Sequence, residues 1–220
     1  MQKTVAIDGP VAAGKTVVGR EVARQLGCRF LDTGTMYRAV TLAALQRDVN
    51  LEDERALEEL AHSLDIELVG AEDGDRLMVD GQDITQSLRT SEVERGVSLV
   101  ARVRGVRSAM VRIQREMAGR GQIVMVGRDI GTVVLPDAPV KVFLNASVEV
   151  RARRRYNEMA QAGTEVEYEQ VLADLQRRDR IDSERTDSPL RPADDAVQLF
   201  TDDMEIGEVS QRILSLVRCD

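Results

Sequence analysis

Aromatic residues make up 3% of this 220-residue chain, and tryptophan is absent. Base stacking on aromatic platforms, a common grip on single-stranded nucleic acid, has little to work with. Cysteine occurs twice, at Cys28 and Cys219, too few for a disulfide framework or a cysteine-built zinc site. His62 is the single histidine, which excludes a histidine-rich metal site and argues against a histidine-based triad. Lysine is confined to Lys3, Lys15 and Lys141, so nearly all the positive charge is arginine. Arginine's planar fork grips phosphate through paired hydrogen bonds, although a genome-wide bias toward arginine codons explains the excess equally well. No run approaches the ~20 apolar residues of a membrane span. The chain enters a short apolar run directly after Met1-Gln2-Lys3, without the longer apolar region of a secretion signal, so a cytoplasmic location is expected. The net charge of −8 argues against broad coating of nucleic acid.

What is present is a globular composition, 43% apolar, at a length suited to one compact unit with a small insert. Short apolar runs at Thr4–Ile7, Arg29–Leu31, Gln122–Val126, Val140–Leu144 and Val197–Phe200 read as strands. Between them lie helical patterns: Lys15–Leu26, Met36–Gln46, Asp53–Ser63, Thr90–Ala118 (in two pieces around Gly105), Ser147–Ala162 and Glu167–Asp182. Ile206, Val209, Ile213, Leu216 and Val217 give a closing helix its apolar stripe. Strands alternating with helices predict an α/β fold with a parallel sheet covered on both faces. The region Ile66–Thr85 breaks the rhythm with a turn-rich stretch and reads as a small β-hairpin insert. Ser183–Pro192 reads as a loop.

The strongest signal is Gly9-Pro10-Val11-Ala12-Ala13-Gly14-Lys15-Thr16, a full match to G-x-x-x-x-G-K-[ST] with a strand before it and a helix after it. Glycines let main-chain N–H groups turn inward around a phosphate, and the positive end of the helix points at the same anion. Lys15 is placed to bridge the outer phosphates and the Thr16 hydroxyl to ligate Mg²⁺. The motif leaves the second substrate open. No Asn-Lys-x-Asp segment is present to read guanine, and the length leaves little room for motor or transporter machinery.

Three further clusters bear on the acceptor. Leu31-Asp32-Thr33-Gly34-Thr35-Met36-Tyr37-Arg38 follows the second strand, where ligands of open α/β sheets bind. Taken alone, Thr33 reads as readily as a helix cap and the tripeptide around it as a turn. Gly127-Arg128-Asp129-Ile130-Gly131-Thr132 follows the strand Gln122–Val126; a site there outweighs a surface ion pair in a glycine turn. In the segment Arg177–Leu190, Arg178, Asp182 and Arg185 share one helical face. Spacing alone favours a solvated face with weak ion pairs.

Taken in order, these blocks resemble the bacterial cytidylate kinases, P-loop nucleoside monophosphate kinases. The resemblance is carried by Ile7–Pro10 with Gly14-Lys15-Thr16, and by Leu31–Gly34 with Tyr37-Arg38. It continues through Leu88–Val93, Gly127–Val134 with Pro136-Asp137-Ala138, Arg177-Arg178-Asp179, Arg185, Pro189-Leu190 and Ala193–Ala196. It runs from about residue 4 to the C-terminus. It implies a three-layer P-loop fold with a parallel five-stranded sheet, a small antiparallel β insert and a helical lid. The 1–220 unit would divide into a core (1–62 and 98–220), a monophosphate-binding insert (63–97) and a lid (151–165). The implied activity is transfer of the γ-phosphoryl group of ATP to CMP or dCMP, with Mg²⁺, by a monomer without nucleic-acid or membrane partners.

The resemblance also implies site roles. Gly9, Pro10, Val11, Ala12, Ala13, Gly14, Lys15, Thr16 and Val17 would hold ATP, with Arg151, Arg154 and Arg155 of the lid facing its phosphates, and Thr16 would ligate the metal. Thr33, Arg107, Asp129 and Arg185 would read the cytosine ring and phosphate. Asp129 would accept from the amino group that uracil lacks. Ser98, Arg178 and Asp182 would contact sugar and phosphate, the carboxylate being linked in the family to accepting deoxyribose. Arg38 and Arg128 would surround the transferred phosphate. Lys15, Arg128, Asp129 and Arg178 form the implied catalytic set. The sequence departs from the family pattern at Ala12, in place of a third loop glycine, at Val17, where many relatives carry Thr, and at Val126, where many carry an acid near the metal's waters; Asp8 and Asp129 are the candidates to replace that acid. Two other readings stay open: a P-loop kinase for another acceptor, and a nucleic-acid module using Arg151–Arg155 as a basic strip.

Overall fold

The structure is a computed structural model that describes residues 3–70, 76–85 and 87–218. Cys219 and most of the turn-rich stretch of the insert lie outside the described residues. Five strands form one parallel sheet: β1 (Thr4–Asp8), β2 (Arg29–Asp32), β6 (Ile123–Gly127), β7 (Val140–Asn145) and β8 (Val197–Phe200), in the order β2-β6-β1-β7-β8. β1 and β6 are buried along almost their whole length, which is why they read as continuous Val, Ile and Met runs and not as alternating ones. Three short strands, β3 (Ile66–Val69), β4 (Arg76–Val79) and β5 (Gln82–Asp83), pair as a separate antiparallel sheet.

Helices cover both faces of the parallel sheet. On one face α1 (Lys15–Leu26) and α8 (Ile206–Arg218) bury Val18, Val22, Val209 and Ile213 against Val5, Val124 and Leu144. On the other face lie α2 (Thr33–Gln46), α3 (Glu54–Ser63) and α5 (Arg104–Gly119), whose Met36, Val40, Leu57 and Met110 pack with Leu31 and Met125. Ile66, Leu77 and Val79 of the small sheet join this second core. α4 (Ser91–Arg102) precedes α5. α6 (Val148–Gln161) and α7 (Tyr168–Glu184) form a hairpin with its own small core, built on Ala152, Val171 and Leu175, against which Val11 and Ala12 pack. Tyr156 and Tyr168 meet edge to face within it, ring centroids 6.1 Å apart. Among the described residues no helix is long and apolar enough to cross a membrane.

Several boundaries differ from the sequence reading for local reasons. α2 begins at Thr33, not Met36, because the Asp32 carboxylate accepts from Gly34 N–H at 2.9 Å and starts the helix early. The break in Thr90–Ala118 falls at Val103, which is extended, while Gly105 lies within the first turn of α5. α7 runs on to Glu184, so the polar loop starts at Arg185. The glycine turn after β6 is a single π-helical turn, Ile130–Val134. The two glycines flanking Arg128-Asp129 suggest a plain turn, and π-turns have no periodic signature of their own.

Candidate active site

The phosphate loop connects β1 to α1. Gly9 has a φ of 148°, and a Cβ there would come within 2.1 Å of the Leu144 carbonyl oxygen, so only glycine lets the loop leave the sheet this close to β7. Ala12 takes a left-handed φ of 59° although it carries a Cβ. Gly14 caps α1 at a φ of 87°, and Lys15 is the first helical residue. The buried Lys15 ammonium donates to the Pro10 carbonyl at 2.5 Å, curled into the loop it would share with an anion. Burial, then the nearby Arg128 charge, pushes Lys15 well below the usual lysine range. A polyphosphate in the loop would reverse that balance. Val17 is exposed on α1.

Behind Lys15, the Thr16 hydroxyl donates to Asp32 Oδ2 at 2.7 Å. Asp32, named from sequence within a turn and within the block that carries the resemblance but given no role, orients Thr16 with one oxygen and caps α2 with the other. The candidates named from sequence to replace an acid at position 126 are committed elsewhere. Asp8 accepts from the N–H groups of Ile130 and Gly131 at 2.8 and 2.7 Å and so holds the π-turn. Burial pushes its carboxyl up to about 6, against the pull of those two N–H groups. Asp129 pairs with Arg107. The sequence signal for Asp32 was its place at the end of the second strand, where ligands of open α/β sheets bind.

The three acceptor clusters converge across the strand ends. Thr33 Oγ1 donates to the Val126 carbonyl at 2.9 Å. A Cβ on Gly127 would lie 2.6 Å from that hydroxyl, so this glycine is what lets α2 seat against β6. Beyond it, Asp129 and Arg107 form a buried pair, and the Arg107 guanidinium lies over the Tyr37 ring, 5.6 Å from its centroid. Burial drives the Tyr37 hydroxyl up to about 12. Arg128 Nε donates to Asp182 Oδ2 at 2.7 Å, with Arg185 Nη1 3.8 Å from the other oxygen. Burial opposes the Asp182 charge, but Arg128, with Arg185 and Lys15, holds the carboxyl below its ordinary range. Arg185 is not on the helical face expected from spacing; it is the extended residue that ends α7, with its Nε on the Ser188 carbonyl. Among the described residues, two buried donors there lack partners, Arg107 Nε and Arg185 Nη2. Orphaned guanidinium donors in a polar pocket mark a place that accepts an anion or a polar ring. Ser98 is half-buried on α4, one turn after Glu94.

Arg38 of α2 and Arg178 of α7 both reach Glu94 of α4. Of the three hairpin arginines named from sequence, Arg151 is buried and lies on the phosphate loop: it donates to the Val11 carbonyl at 3.1 Å and pairs with Asp179 at 2.6 Å. Asp179, quoted only for the resemblance, is thus the residue that pins Arg151. Arg154 does not face the loop. It donates to Thr201, beyond the end of β8. Arg155 pairs with its helical neighbour Glu158 at 2.9 Å. Among the described residues no cluster of three or more His, Cys, Asp or Glu side chains would hold a metal by itself.

The family model for cytidylate kinase matches residues 5–219. A cytidylate kinase of Bacillus subtilis is 49% identical over 214 residues, covering 97% of this chain and 96% of its own. One from Bacillus pumilus is 51% identical over 211 residues, covering 96% and 94%. Among solved structures, a shikimate kinase from Bacteroides thetaiotaomicron superposes with a TM-score of 0.52 at 13% identity, covering 99% of both chains. A gluconokinase from Sinorhizobium meliloti gives 0.51 at 13% identity, covering 99% of this chain and 93% of its own. These structural likenesses speak to the fold alone, that of small P-loop kinases. With a match along nearly the whole chain, and a phosphate loop beside a cluster of buried arginines and aspartates, this chain belongs to the cytidylate kinase family.

Proposed function

We propose that the chain transfers the γ-phosphoryl group of ATP to CMP or dCMP, giving ADP and CDP or dCDP. Beyond family membership, the observation that carries this reading is the pairing of two anion-ready halves across adjacent strand ends: the phosphate loop on β1, and the Arg107, Asp129 and Arg185 pocket beside β6. ATP lies along residues 9–17, its outer phosphates on the loop N–H groups and Lys15, with Arg151 at the loop's shoulder. The acceptor's cytosine is read by Thr33, Arg107, Asp129 and Arg185. Its sugar and phosphate are met by Ser98, Arg38, Arg128, Arg178 and Asp182.

The Thr16 hydroxyl, already donating to a carboxylate, keeps lone pairs free for a cation, and this fits Mg²⁺. When bound, Mg²⁺ would neutralise charge on the outer phosphates, held by Thr16 and the nucleotide's own oxygens with Asp32 behind them. The acceptor attacks as an anion, so no strong base is needed, and the chain contributes position and positive charge. The hairpin arm, residues 151–165, serves as the lid that excludes water, with 63–97 as the acceptor-side insert on the core formed by 1–62 and 98–220. The chain acts as a monomer without nucleic acid. In support, Arg151, Arg154 and Arg155 are engaged within the molecule, and Arg153 lies 4.5 Å over the Tyr168 ring, so the basic strip is not an open phosphate-binding face.

The test is an acceptor screen with ATP and Mg²⁺ across the nucleoside monophosphates. CMP and dCMP should be turned over, UMP far more slowly, and Lys15→Ala should abolish transfer. Asp129→Ala should erase the preference for cytosine over uracil. Comparable rates on CMP and AMP would overturn the acceptor assignment.

A further inference from the structure

Glu94, one carboxylate in the acceptor half, has no part in the roles given above. It sits in the first turn of α4, one-fifth exposed. Its Oε1 accepts from Arg38 Nε at 2.8 Å, and its Oε2 from both terminal nitrogens of Arg178 at 3.2 Å. Its main-chain carbonyl takes a further bond from Arg178 at 2.8 Å. Arg155 of α6 adds to the positive field around it. Burial opposes the Glu94 charge, yet Arg38 and then Arg178 keep the carboxyl below its ordinary range.

The Arg178 fork and the Arg38 Nε, from different helices, thus close on a single anion supplied by a third. This is the arrangement expected around the oxygens of a phosphate monoester. The charges do not balance, however. One carboxylate meets two guanidinium groups, whereas a phosphate monoester dianion would match both.

We propose that Glu94 is an internal competitor for the acceptor phosphate: it fills the arginine clamp in the empty site, and CMP binds by exchanging its phosphate for the Glu94 carboxylate. The proposal rests on the reading of Arg38 and Arg178 as the phosphate grip. The exchange lowers the apparent affinity for every phosphate-bearing ligand by the fraction of molecules in which the clamp is already filled. It keeps the arginines gathered and partly neutralised, and it discourages stray inorganic anions from filling the clamp. When product leaves, the carboxylate returns.

The experiment compares Glu94→Gln with the unsubstituted chain by calorimetric binding without ATP. The amide keeps the shape and loses the charge. CMP and inorganic phosphate should each bind about three- to tenfold more tightly to the variant, while cytidine, which has no phosphate, should shift by less than twofold. Equal or weaker CMP binding would show that Glu94 only positions the arginines, and the proposal falls. Arg38→Ala and Arg178→Ala separate the two readings. If neither weakens CMP binding, the phosphate-grip reading itself is wrong; if both do and Glu94→Gln gains nothing, only the competitor is wrong. An independent measurement needs no variant: the ¹³Cδ resonance of Glu94 should move when CMP is added and stay still with cytidine. A resonance unmoved by bound CMP overturns the exchange.

Discussion

At the scale of single residues, the phosphate loop carries a cost that the sequence shows only in part. Ala12 stands in the left-handed region at a φ of 59°, where a Cβ costs roughly 1–2 kcal/mol. Ala12→Gly relieves that strain and gives back some of it as unfolded-chain freedom. We expect a net gain of about 0.5–1 kcal/mol in denaturant unfolding; a loss would mean that the packing of the Ala12 methyl on the α6–α7 hairpin matters more. Asp32 is a second case. Removing its charge with Asp32→Asn leaves the Thr16 hydroxyl without its carboxylate acceptor. The Mg²⁺ concentration for half-maximal rate should rise by about tenfold, the usual scale for losing an outer-sphere partner, and chelation should abolish transfer in both proteins. Lys15 and Thr16 were legible because their motif is contiguous. Asp32 was not, because its link to Thr16 spans 16 residues and two strands that are not neighbours in the sheet.

Among the elements, the π-turn Ile130–Val134 is held from outside by Asp8 at the end of β1. The Asp8 carboxyl sits near 6 in the folded chain against an ordinary 3.8. Its folded value lies above its unfolded one, so the folded state binds more protons between about pH 4 and 6. This group's contribution therefore makes folding less favourable as pH rises through that window, by up to ~1.4 kcal/mol per pH unit, and is constant above it. Asp8→Asn removes the titration. Urea unfolding at several pH values should show the variant's stability relative to the parent rising from pH 4 to 6 and then levelling; a flat difference would contradict it. All five core strands and the order of strands and helices were readable: β1, β6 and β7 as buried runs rich in Val and Ile, β2 and β8 as shorter apolar runs between helical patterns. The ends of elements were less so. They depend on caps such as Asp32 and on partners distant in the chain, as with the extended Val103 and the run of α7 past Ser183.

Across the whole molecule, the two substrate halves meet where β1 pairs with β6, and the hairpin helices add a second tie. Arg151 ties the hairpin to the phosphate loop, and Asp179 holds Arg151 from the second arm. Asp179→Ala leaves a buried guanidinium with only the Val11 and Ala146 carbonyls. The expected cost is about 2–3 kcal/mol, somewhat below the ~3–5 of a fully broken buried pair, with a raised KM for ATP; thermal unfolding and initial rates check both. This tie was hidden in the sequence, where Arg151–Arg155 looked like one basic strip and gave no sign that its four arginines face four different partners. The chain has no tryptophan and three tyrosines, Tyr37, Tyr156 and Tyr168. One lies beneath Arg107 in the acceptor pocket and two meet inside the hairpin. Its tyrosine emission therefore originates from those two places alone, so a change in it on adding nucleotide would read the acceptor side or the hairpin without any dye attached.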